Sequence, residues 1–350
     1  LSSVGTDGET RTWDVSPTGS PSLGAIRVAS GNPFILDFSP DGGEVAVSTW
    51  GGTLEYHATV DGDLVTAVDG IATGPGVYPV FSDDWRSVAW VGADGNAVLS
   101  GLRSNTHRNG LPPCTNPRAL DTHGEVVVLD GLWLCLEAGA PAGADLRSRV
   151  VDVDSGDELL DLGERVVFRA AFNPGGAFEA DRYLAVNIDP DGLEIYDTVD
   201  WDLIFELRAL TTMIRFDPTG RYLVAGTLDG RAIVVDLVAV VAGRSAKDSL
   251  VMDAVVASGG VPGVAVTSQG VVATAAFDSS FIRLWNMHTG DQIAELRTGL
   301  DGSSPPQLNF DPEGTYLLYP DRNLMLRKYY LDPDRLLALA AERTTRALTD

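Results

Sequence analysis

Lysine, cysteine and long apolar runs are scarce in this sequence. The only cysteines are Cys114 and Cys135, which are too few for a disulfide scaffold, and no histidine lies at the short spacing that a metal site with them would need. We expect two unpaired thiols in a reducing cytosol. The longest apolar stretch, residues 232–243, contains Asp236 and falls short of the ~20 residues that cross a bilayer. These absences exclude a disulfide-rich scaffold and a transmembrane helix.

Positive charge is also in short supply. Lys and Arg number 25 against 49 Asp and Glu, which gives a formal net charge of −24. Such an acidic surface repels phosphate backbones and anionic lipids, so we expect no direct binding to nucleic acid or membrane. Two interpretations of the acidity stay open: it keeps the protein soluble, or it provides an acidic face for a basic partner.

Motifs of catalysis and cofactor binding are missing as well. No Gly-x-Ser-x-Gly elbow and no phosphate-binding P-loop occurs. The acidic pair Asp152 and Asp154 lacks the glycine at position six and the glutamate at position twelve of a calcium-binding EF-hand loop. His57 falls in a strand, where we expect it to face solvent. We therefore predict a protein that is not an enzyme and holds no cofactor or metal.

A short motif recurs about every 45 residues along the chain. Its pattern is an aromatic residue, a small polar residue, Pro, any residue and Gly, as in Phe-Ser-Pro-Asp-Gly at 38–42. Clear copies begin at Phe38, Phe172, Phe216 and Phe310, and looser copies begin at Phe81, Leu120 and Val266. A period of this size is typical of radial or stacked repeat proteins.

Each repeat divides into four short strands. In the repeat around Phe216, one strand ends at that residue and Asp-Pro-Thr-Gly at 217–220 forms a turn. An apolar strand over 222–225, an Asp-Gly hairpin signal at 229–230 and a third strand over 232–236 follow. The fourth strand comes after a variable loop. Four antiparallel strands in each of seven repeats predict an all-β propeller with seven blades.

These marks resemble those of the WD-repeat family. The family carries Phe-Ser-Pro-Asp-Gly, an Asp-Gly hairpin and Trp-Asp in this order, and Trp13-Asp14 supplies the last pair at the end of a third strand. The resemblance implies a β-propeller that works by binding proteins. The Gly-His pair that WD repeats often carry is absent. We therefore expect blade packing to depend mainly on apolar layers.

The ends of the chain predict how the ring closes. The last repeat has three strands, and a strand near residues 23–28 supplies the fourth, which removes the exposed sheet edges. This predicts a propeller over residues 20–331, with residues 1–19 as remnant strands of a preceding blade. Eight blades, the first of them incomplete, is the alternative. Residues 332–350 follow as a C-terminal helix, because Asp332 suits the N-cap and Pro333 the first helical position.

This tail resembles the end of C-terminal propellers in large actinobacterial signalling and transcriptional regulators. The resemblance implies an effector domain upstream in the same chain, with the propeller as one part of a larger cytoplasmic protein. The first residue, Leu1, agrees with a piece of a longer chain.

We predict a scaffold that holds or senses a protein partner at one end of the ring. The candidate contact residues stand beside the repeat turns and are Asp41, Asp217 and Asp311. The alternative role for these residues is capping of the turns. Two other classes stay open: an enzymatic propeller with a cofactor or metal held by inward-pointing ligands at the channel mouth, and a passive structural spacer.

Overall fold

The structure is a computed structural model, and it describes most of the chain. The described residues are 2–4, 10–12, 25–28, 33–49, 52–69, 79–92, 97–102, 107–108, 115–121, 123–130, 147–189, 191–277, 279–298, 308–320 and 325–332. Apart from Asp332, the predicted C-terminal helix lies outside these residues, and so do both cysteines.

Seven four-stranded antiparallel sheets form the blades of a β-propeller, as the sequence predicts. A separate two-stranded sheet near the start pairs β1 (Ser2–Val4) with β2 (Thr10–Thr12). The next strand in chain order is β3 (Ala25–Arg27). Blade 1 contains β4 (Pro33–Phe38), β5 (Glu44–Thr49), β6 (Thr53–Ala58) and β7 (Leu64–Asp69). Blade 2 contains β8 (Val80–Phe81), β9 (Ser87–Val91), β10 (Ala97–Gly101) and β11 (His107–Arg108).

The middle blades follow in the same strand order. Blade 3 contains β12 (Asn116–Leu120), β13 (Val126–Asp130), β14 (Ser148–Asp152) and β15 (Glu158–Gly163). Blade 4 contains β16 (Val166–Phe172), β17 (Tyr183–Asp189), β18 (Gly192–Asp197) and β19 (Leu203–Leu207). Blade 5 contains β20 (Thr211–Phe216), β21 (Tyr222–Thr227), β22 (Arg231–Asp236) and β23 (Leu250–Val255).

The last two blades complete the ring. Blade 6 contains β24 (Gly263–Val266), β25 (Val271–Ala275), β26 (Phe281–Asn286) and β27 (Gln292–Arg297). Blade 7 contains β28 (Asn309–Phe310), β29 (Tyr316–Pro320), β30 (Met325–Tyr330) and β3.

The burial of each strand follows its place in the blade. The second strand of blade 5, β21, is buried at every residue, whereas the outermost strands β7 and β27 alternate between exposed and half-buried residues. A second strand is covered by neighbouring blades on both faces, so it is an unbroken apolar run. An outermost strand is the edge of its blade and keeps a polar face toward water.

The start of the chain closes the ring, as predicted. Strand β3 pairs with β30, and Ile26 lies opposite Leu326. Ile26 packs in one apolar cluster with Val47 of blade 1 and Leu318 of blade 7. The pairing therefore completes the seventh blade and joins it to the first.

Apolar layers between neighbouring blades make up the core, as expected from the missing Gly-His pairs. One cluster combines Ala185 and Ile195 of blade 4 with Leu223 and Ile233 of blade 5. Similar clusters join the other blades around the ring.

The variable loop of blade 5 contains helical structure that the sequence did not predict. Helix α1 (Leu237–Val241) and a 3-10 turn at Lys247–Ser249 lie between β22 and β23. Asp236 caps α1 by accepting a hydrogen bond from the Val238 N–H, and Leu237 and Val240 are buried in the blade 4–5 cluster. No helix in the described part of the chain is long and apolar enough to cross a membrane.

Candidate functional site

The second residue of the repeat motif is a buried polar side chain in all seven copies. These residues are Ser39, Ser82, Asp121, Asn173, Asp217, Thr267 and Asp311. Each accepts a hydrogen bond, 2.6–3.1 Å long, from the backbone N–H of the first residue of the following strand. A buried N–H without an acceptor destabilises a fold, so the motif fixes the start of every second strand. We call the end of the ring that carries these turns the turn end, and the other end the loop end.

The three sequence-predicted contact residues all lie at the turn end, in different environments. Asp217 and Asp311 are buried and accept hydrogen bonds within their own turns, Asp217 from the Thr219 hydroxyl and Asp311 from the Thr315 hydroxyl. Asp41 is exposed, although it accepts hydrogen bonds from the Ser39 hydroxyl and the Gly43 N–H. Asp217 and Asp311 therefore cap their turns, which is the alternative role that the sequence left open. A role in partner binding stays a prediction.

Turns of neighbouring blades touch one another. A methyl group built on Gly220 of blade 5 would lie 2.4 Å from the Pro174 carbonyl oxygen of blade 4. On Gly42 it would lie 3.3 Å from Pro312 Cδ of blade 7. Gly220 also has a φ of +66°, which favours glycine. The motif glycine therefore permits both the turn and the approach of the next blade.

A cavity of about 450 Å³ occupies the centre of the ring. Residues from the innermost strands of all seven blades line it, including Val266 and Phe310, together with Pro40, Pro174 and other motif prolines at the turn end. The cavity is therefore the central channel of the propeller. Its charged lining residues are Asp37, Asp83, Asp217, Arg118, Arg169 and Arg215.

The basic side of the channel comes from blades 3 to 5. Arg118 is buried and forms an ion pair with Asp130, with an Nη2–Oδ2 distance of 2.6 Å. Arg169 and Arg215 are partly exposed to the cavity. Burial, and after it the positive charge of Arg215, lower the pKa of the Arg169 guanidinium to about 9. Burial also lowers the pKa of Arg215, against the opposing effect of Asp37.

Two of the three acidic lining residues of the channel, Asp37 and Asp83, come from blades 1 and 2, and the third, Asp217, lies in the turn of blade 5. Asp37 directly precedes the motif in blade 1, as Arg215 does in blade 5, and burial raises the pKa of Asp37 while Arg215 acts to lower it. Asp83 stands where the turns of blades 1, 4, 5 and 7 have proline. It is exposed to the cavity, yet the surrounding protein removes much of its hydration, and with the nearby negative charge of Asp37 this raises its pKa to about 7.

At the loop end, an apolar patch lies over blades 5 and 6. Leu210, Leu228 and Phe277 belong to three different connections and are 49%, 54% and 43% exposed. The backbone N–H of Leu228 donates a hydrogen bond to the Leu210 carbonyl oxygen. The side chains of Leu228 and Phe277 both lie over the buried Gly260. We call these three side chains the blade 5–6 patch.

His57 is buried rather than facing solvent, which corrects the sequence expectation. Its Nε2 lies 2.9 Å from Glu55 Oε2, and its Nδ1 lies 3.1 Å from the Gly62 carbonyl oxygen. These contacts satisfy both ring nitrogens inside the sheet. Across the described residues, no cluster of three or more His, Cys, Asp or Glu side chains could hold a metal ion.

Sequence reasoning missed the channel charges and the patch. A charged residue next to the motif aromatic, as in Asp37 and Arg215, was the available signal for the channel. A large apolar residue beside an Asp-Gly hairpin signal, as in Leu228, was the available signal for the patch. Neither signal indicates which of these residues come together.

Comparison with known proteins supports the fold. No protein-family model matches the chain, and no curated protein matches it. Among solved structures, the chain is similar to the β-propeller domain of Cps50 (Swd1) from Myceliophteria thermophila, with a TM-score of 0.65 and 14% sequence identity. The match covers 87% of this chain and 99% of that domain. At this identity the similarity is one of fold alone.

Proposed function

We propose that the propeller is a non-catalytic scaffold that binds a protein partner through the blade 5–6 patch. The observation that supports this is that two exposed apolar side chains, Leu228 and Phe277, lie together over Gly260, and that the exposed Leu210 is joined to Leu228 by a backbone hydrogen bond. Single exposed apolar residues are ordinary on protein surfaces, whereas contiguous ones mark interaction sites. Leu228 and Phe277 lie in hairpins between the second and third strands of their blades, which are hydrogen-bonded on both sides, so little order is lost when a partner binds.

The apolar side chains of the patch and the net charge of the chain indicate which kind of partner would bind. Leu228 and Phe277 are about half exposed, so burying the rest of either side chain stabilises a complex by about 1 kcal/mol. A net charge of −24 attracts basic groups over long range and speeds association with them. The partner we propose is a protein segment with apolar anchor residues flanked by Lys or Arg.

We place this scaffold in a larger cytoplasmic regulator, where it holds or senses a partner on behalf of an effector domain upstream in the same chain. The resemblance of the tail to actinobacterial regulators supports this setting. Asp41, the exposed member of the three predicted contact residues, is a candidate for a second contact at the turn end. We propose no direct role in binding nucleic acid or membrane.

The test combines affinity capture from extracts of the source cells with direct binding. The capture is made with the wild-type protein, with the double variant Leu228→Asp/Phe277→Asp, and with Val199→Asp as matched control. Val199 is 74% exposed in a turn-end connection of blade 4, away from the patch. Calorimetry with the purified captured protein then gives the dissociation constants.

We expect the patch variant to lose the captured protein and to raise its dissociation constant at least about 10-fold, equivalent to about 1.4 kcal/mol. The Val199→Asp control should bind like the wild type. Denaturation curves should show that neither variant is unfolded. Equal binding by the patch variant and the wild type would reject the patch, and a propeller that captures no specific protein would favour a passive spacer.

A further inference from the structure

The outermost strands of blades 3 to 6 share an acidic residue at one position. In each of these strands the pairing register shifts by one residue near the start, and the second residue after the one that is skipped is an acid. These acids are Asp161, Glu206, Asp253 and Glu295, and their side chains are 32–43% exposed. A charge on an exposed sheet edge hinders another strand from pairing there. Each acid therefore protects the edge of its blade.

Blade 1 has no charge at this position. The equivalent residue of β7 is Ala67, which lies opposite Glu55. In blade 4, Glu206 lies opposite Glu194, so an acid is compatible with such a neighbour. The only charged side chain of β7 is that of Asp69 at its end, and the short outer strands β11 and β3 each contain an arginine. Of the blade edges that the structure describes, that of blade 1 is therefore the one without a protecting charge.

The backbone of Ala67 points to the open side of β7. Hydrogen-bonded and non-hydrogen-bonded pairs alternate along an antiparallel ladder. The Thr59 N–H donates to the Gly43 carbonyl oxygen on the side of β5, so Glu55, two steps of the alternation earlier, also bonds toward β5. Ala67, its neighbour across the ladder, therefore directs its N–H and C=O away from β6. None of the described strands pairs with this side of β7.

The surroundings of β7 are acidic. Asp61 and Asp63 precede the strand, Asp69 ends it, and all three are exposed. Lys328 of blade 7 donates a hydrogen bond to the Thr59 carbonyl oxygen and offsets one of these charges. A second copy of the chain would bring the same acids and a net charge of −24 to the edge. A strand with an apolar centre and basic ends complements it instead.

We propose that β7 is a docking edge that accepts an extended segment of a protein partner as a fifth strand of blade 1. The centre of this segment is rich in Val, Ile or Thr, and both of its ends carry Lys or Arg. Its main chain bonds to the open N–H and C=O of Ala67, and its side chains pack on Leu64 and Val65, which are 52% and 46% exposed. The edge lies on blade 1 and is separate from the blade 5–6 patch.

The proposal is tested by fluorescence anisotropy with the labelled peptide acetyl-Lys-Arg-Val-Thr-Ile-Thr-Val-Arg-Lys-amide at one fixed ionic strength. A second peptide has Glu in place of each Lys and Arg. The protein variants are Ala67→Lys and Ala67→Pro, and the matched control is Ile293→Lys. Ile293 is 55% exposed on β27, whose edge already carries Glu295, so this control adds the same charge to a protected edge. Amide hydrogen exchange measured by mass spectrometry locates the bound peptide.

We expect the wild type and Ile293→Lys to bind the basic peptide equally well, with a dissociation constant below about 1 mM. Ala67→Lys should weaken binding at least about 10-fold because it places a charge in the middle of the edge and repels the peptide. Ala67→Pro should weaken it similarly because proline removes the open N–H, and an edge strand tolerates proline there. The bound peptide should slow exchange in β7, and the acidic peptide should bind more weakly.

The patch variant Leu228→Asp/Phe277→Asp should bind the basic peptide like the wild type, so the two sites are tested independently. Absence of binding by the wild type at about 1 mM peptide would overturn the proposal. So would unchanged binding by a folded Ala67→Lys variant, which stays informative even if Ala67→Pro unfolds. Analytical ultracentrifugation of the wild type alone covers the other occupant, because a dimer that Ala67→Lys abolishes would assign the edge to a second copy of this chain and reject the proposed partner.

Discussion

At the turn end, polar side chains are buried, whereas at the loop end of blades 5 and 6, large apolar side chains are exposed. Asp217 and Asp311 have almost no contact with water, while Leu228 is 54% exposed. Hydrophobicity alone would predict the reverse. The difference arises because Asp217 and Asp311 are the hydrogen-bond acceptors of their turns, whereas in the hairpin of Leu228 the buried Thr227 is the acceptor.

Each turn at the turn end must meet two conditions. It must supply an acceptor for the first N–H of the next strand, and it must let the neighbouring turn approach. The polar residue and the glycine of the motif meet these conditions, so the same pattern returns in each blade. In the loop-end hairpin of blade 5, the same two conditions are met by Thr227, which accepts a hydrogen bond from the Arg231 N–H, and by Gly230, which lies beside the Ala257 carbonyl oxygen. Leu228 has neither role and stays exposed.

Blade 2 shows how far the turn can depart from the motif. Trp85 takes the place of glycine with a φ of +57°. Its ring stacks on Phe81 at a centroid distance of 5.6 Å and meets the edge of Tyr56 at 5.8 Å. Aromatic packing of this kind contributes about 0.5–1.5 kcal/mol beyond area burial, which offsets a left-handed backbone. The turn of blade 2 therefore tolerates Trp85 in place of glycine because the packing of this ring on Phe81 and Tyr56 takes the place of a closely approaching neighbouring turn.

The motif glycine adopts a left-handed backbone and also leaves room for the neighbouring turn. The largest loss of stability should come from Gly220→Ala, which affects both. Here the new methyl group meets both a left-handed backbone and the Pro174 carbonyl oxygen. We expect a loss of about 4 kcal/mol in the free energy of unfolding, since left-handed alanine costs about 1–2 kcal/mol and overpacking about 1–3 kcal/mol. Urea denaturation measures it.

Gly156→Ala is the matched control. Gly156 has a similar φ of +75°, but no atom lies within 4 Å of the added methyl group. This variant should lose only about 1 kcal/mol, the cost of the backbone alone. Equal losses in the two variants would mean that contact between neighbouring turns contributes nothing.

A smaller loss is expected where the turn keeps its shape but loses its acceptor. Asp217→Ala leaves the Tyr222 N–H, which now donates to Asp217 Oδ1 at 2.7 Å, without that partner. We expect a loss of about 3 kcal/mol in the free energy of unfolding, because a buried donor without an acceptor costs about 1–3 kcal/mol and the hydrogen bond from the Thr219 hydroxyl is lost as well.

Asp41→Ala tests the same comparison from the surface. Asp41 is exposed, so its removal should cost about 0.5 kcal/mol by the same denaturation measurement. Asp217→Asn, which keeps an acceptor oxygen, should fall between the two. A loss at Asp41 as large as that at Asp217 would show that burial of the acceptor is not what matters.

The sequence predicts the turn end better than the channel or the patch. The turn chemistry is local, so the motif beginning at Phe216 is enough to predict the turn and the strand after it. Ring closure through residues near Ile26 was also predictable, because the last repeat lacks a strand. By contrast, Arg169 and Arg215 are far apart in sequence and become neighbours only when the blades pack. Leu228 and Phe277 meet for the same reason.

Two other features of the structure differ from what the sequence predicts. In each case tertiary contacts stabilise the observed arrangement, and a sequence pattern does not show such contacts. His57 is buried because Glu55 and the Gly62 carbonyl oxygen satisfy its ring nitrogens. The stretch predicted as a variable loop forms α1 because Asp236 caps it and Leu237 finds space in the apolar layer. Both outcomes depend on tertiary partners rather than on local propensity.

A small effect that depends on pH should distinguish two adjacent acids in the turn of blade 2. Asp83 is at the channel, and Asp84 accepts hydrogen bonds from the Ser82 hydroxyl and the Arg86 N–H at 2.8 and 2.9 Å. Burial acts to raise the pKa of Asp84, but these bonds outweigh it and lower the pKa. The pKa of Asp83 is instead raised from 3.8 to about 7, first by burial and then by Asp37. The two carboxylates should therefore respond to pH in opposite directions.

The folded pKa of Asp83 lies above its unfolded value, so ionisation of this group weakens the fold as pH rises from about 4 to about 7. Asp83→Asn removes that loss and should raise the free energy of unfolding at pH 8 by about 1 kcal/mol after screening by water in the cavity, with little change at pH 4. Asp84→Asn should lower it by about 1 kcal/mol at pH 8 and by less as the pH falls below 4, because the folded pKa of Asp84 is depressed. Urea titrations at both pH values measure these differences. If both variants shifted stability in the same direction at pH 8, the channel and the turn would not be separate environments for these carboxylates.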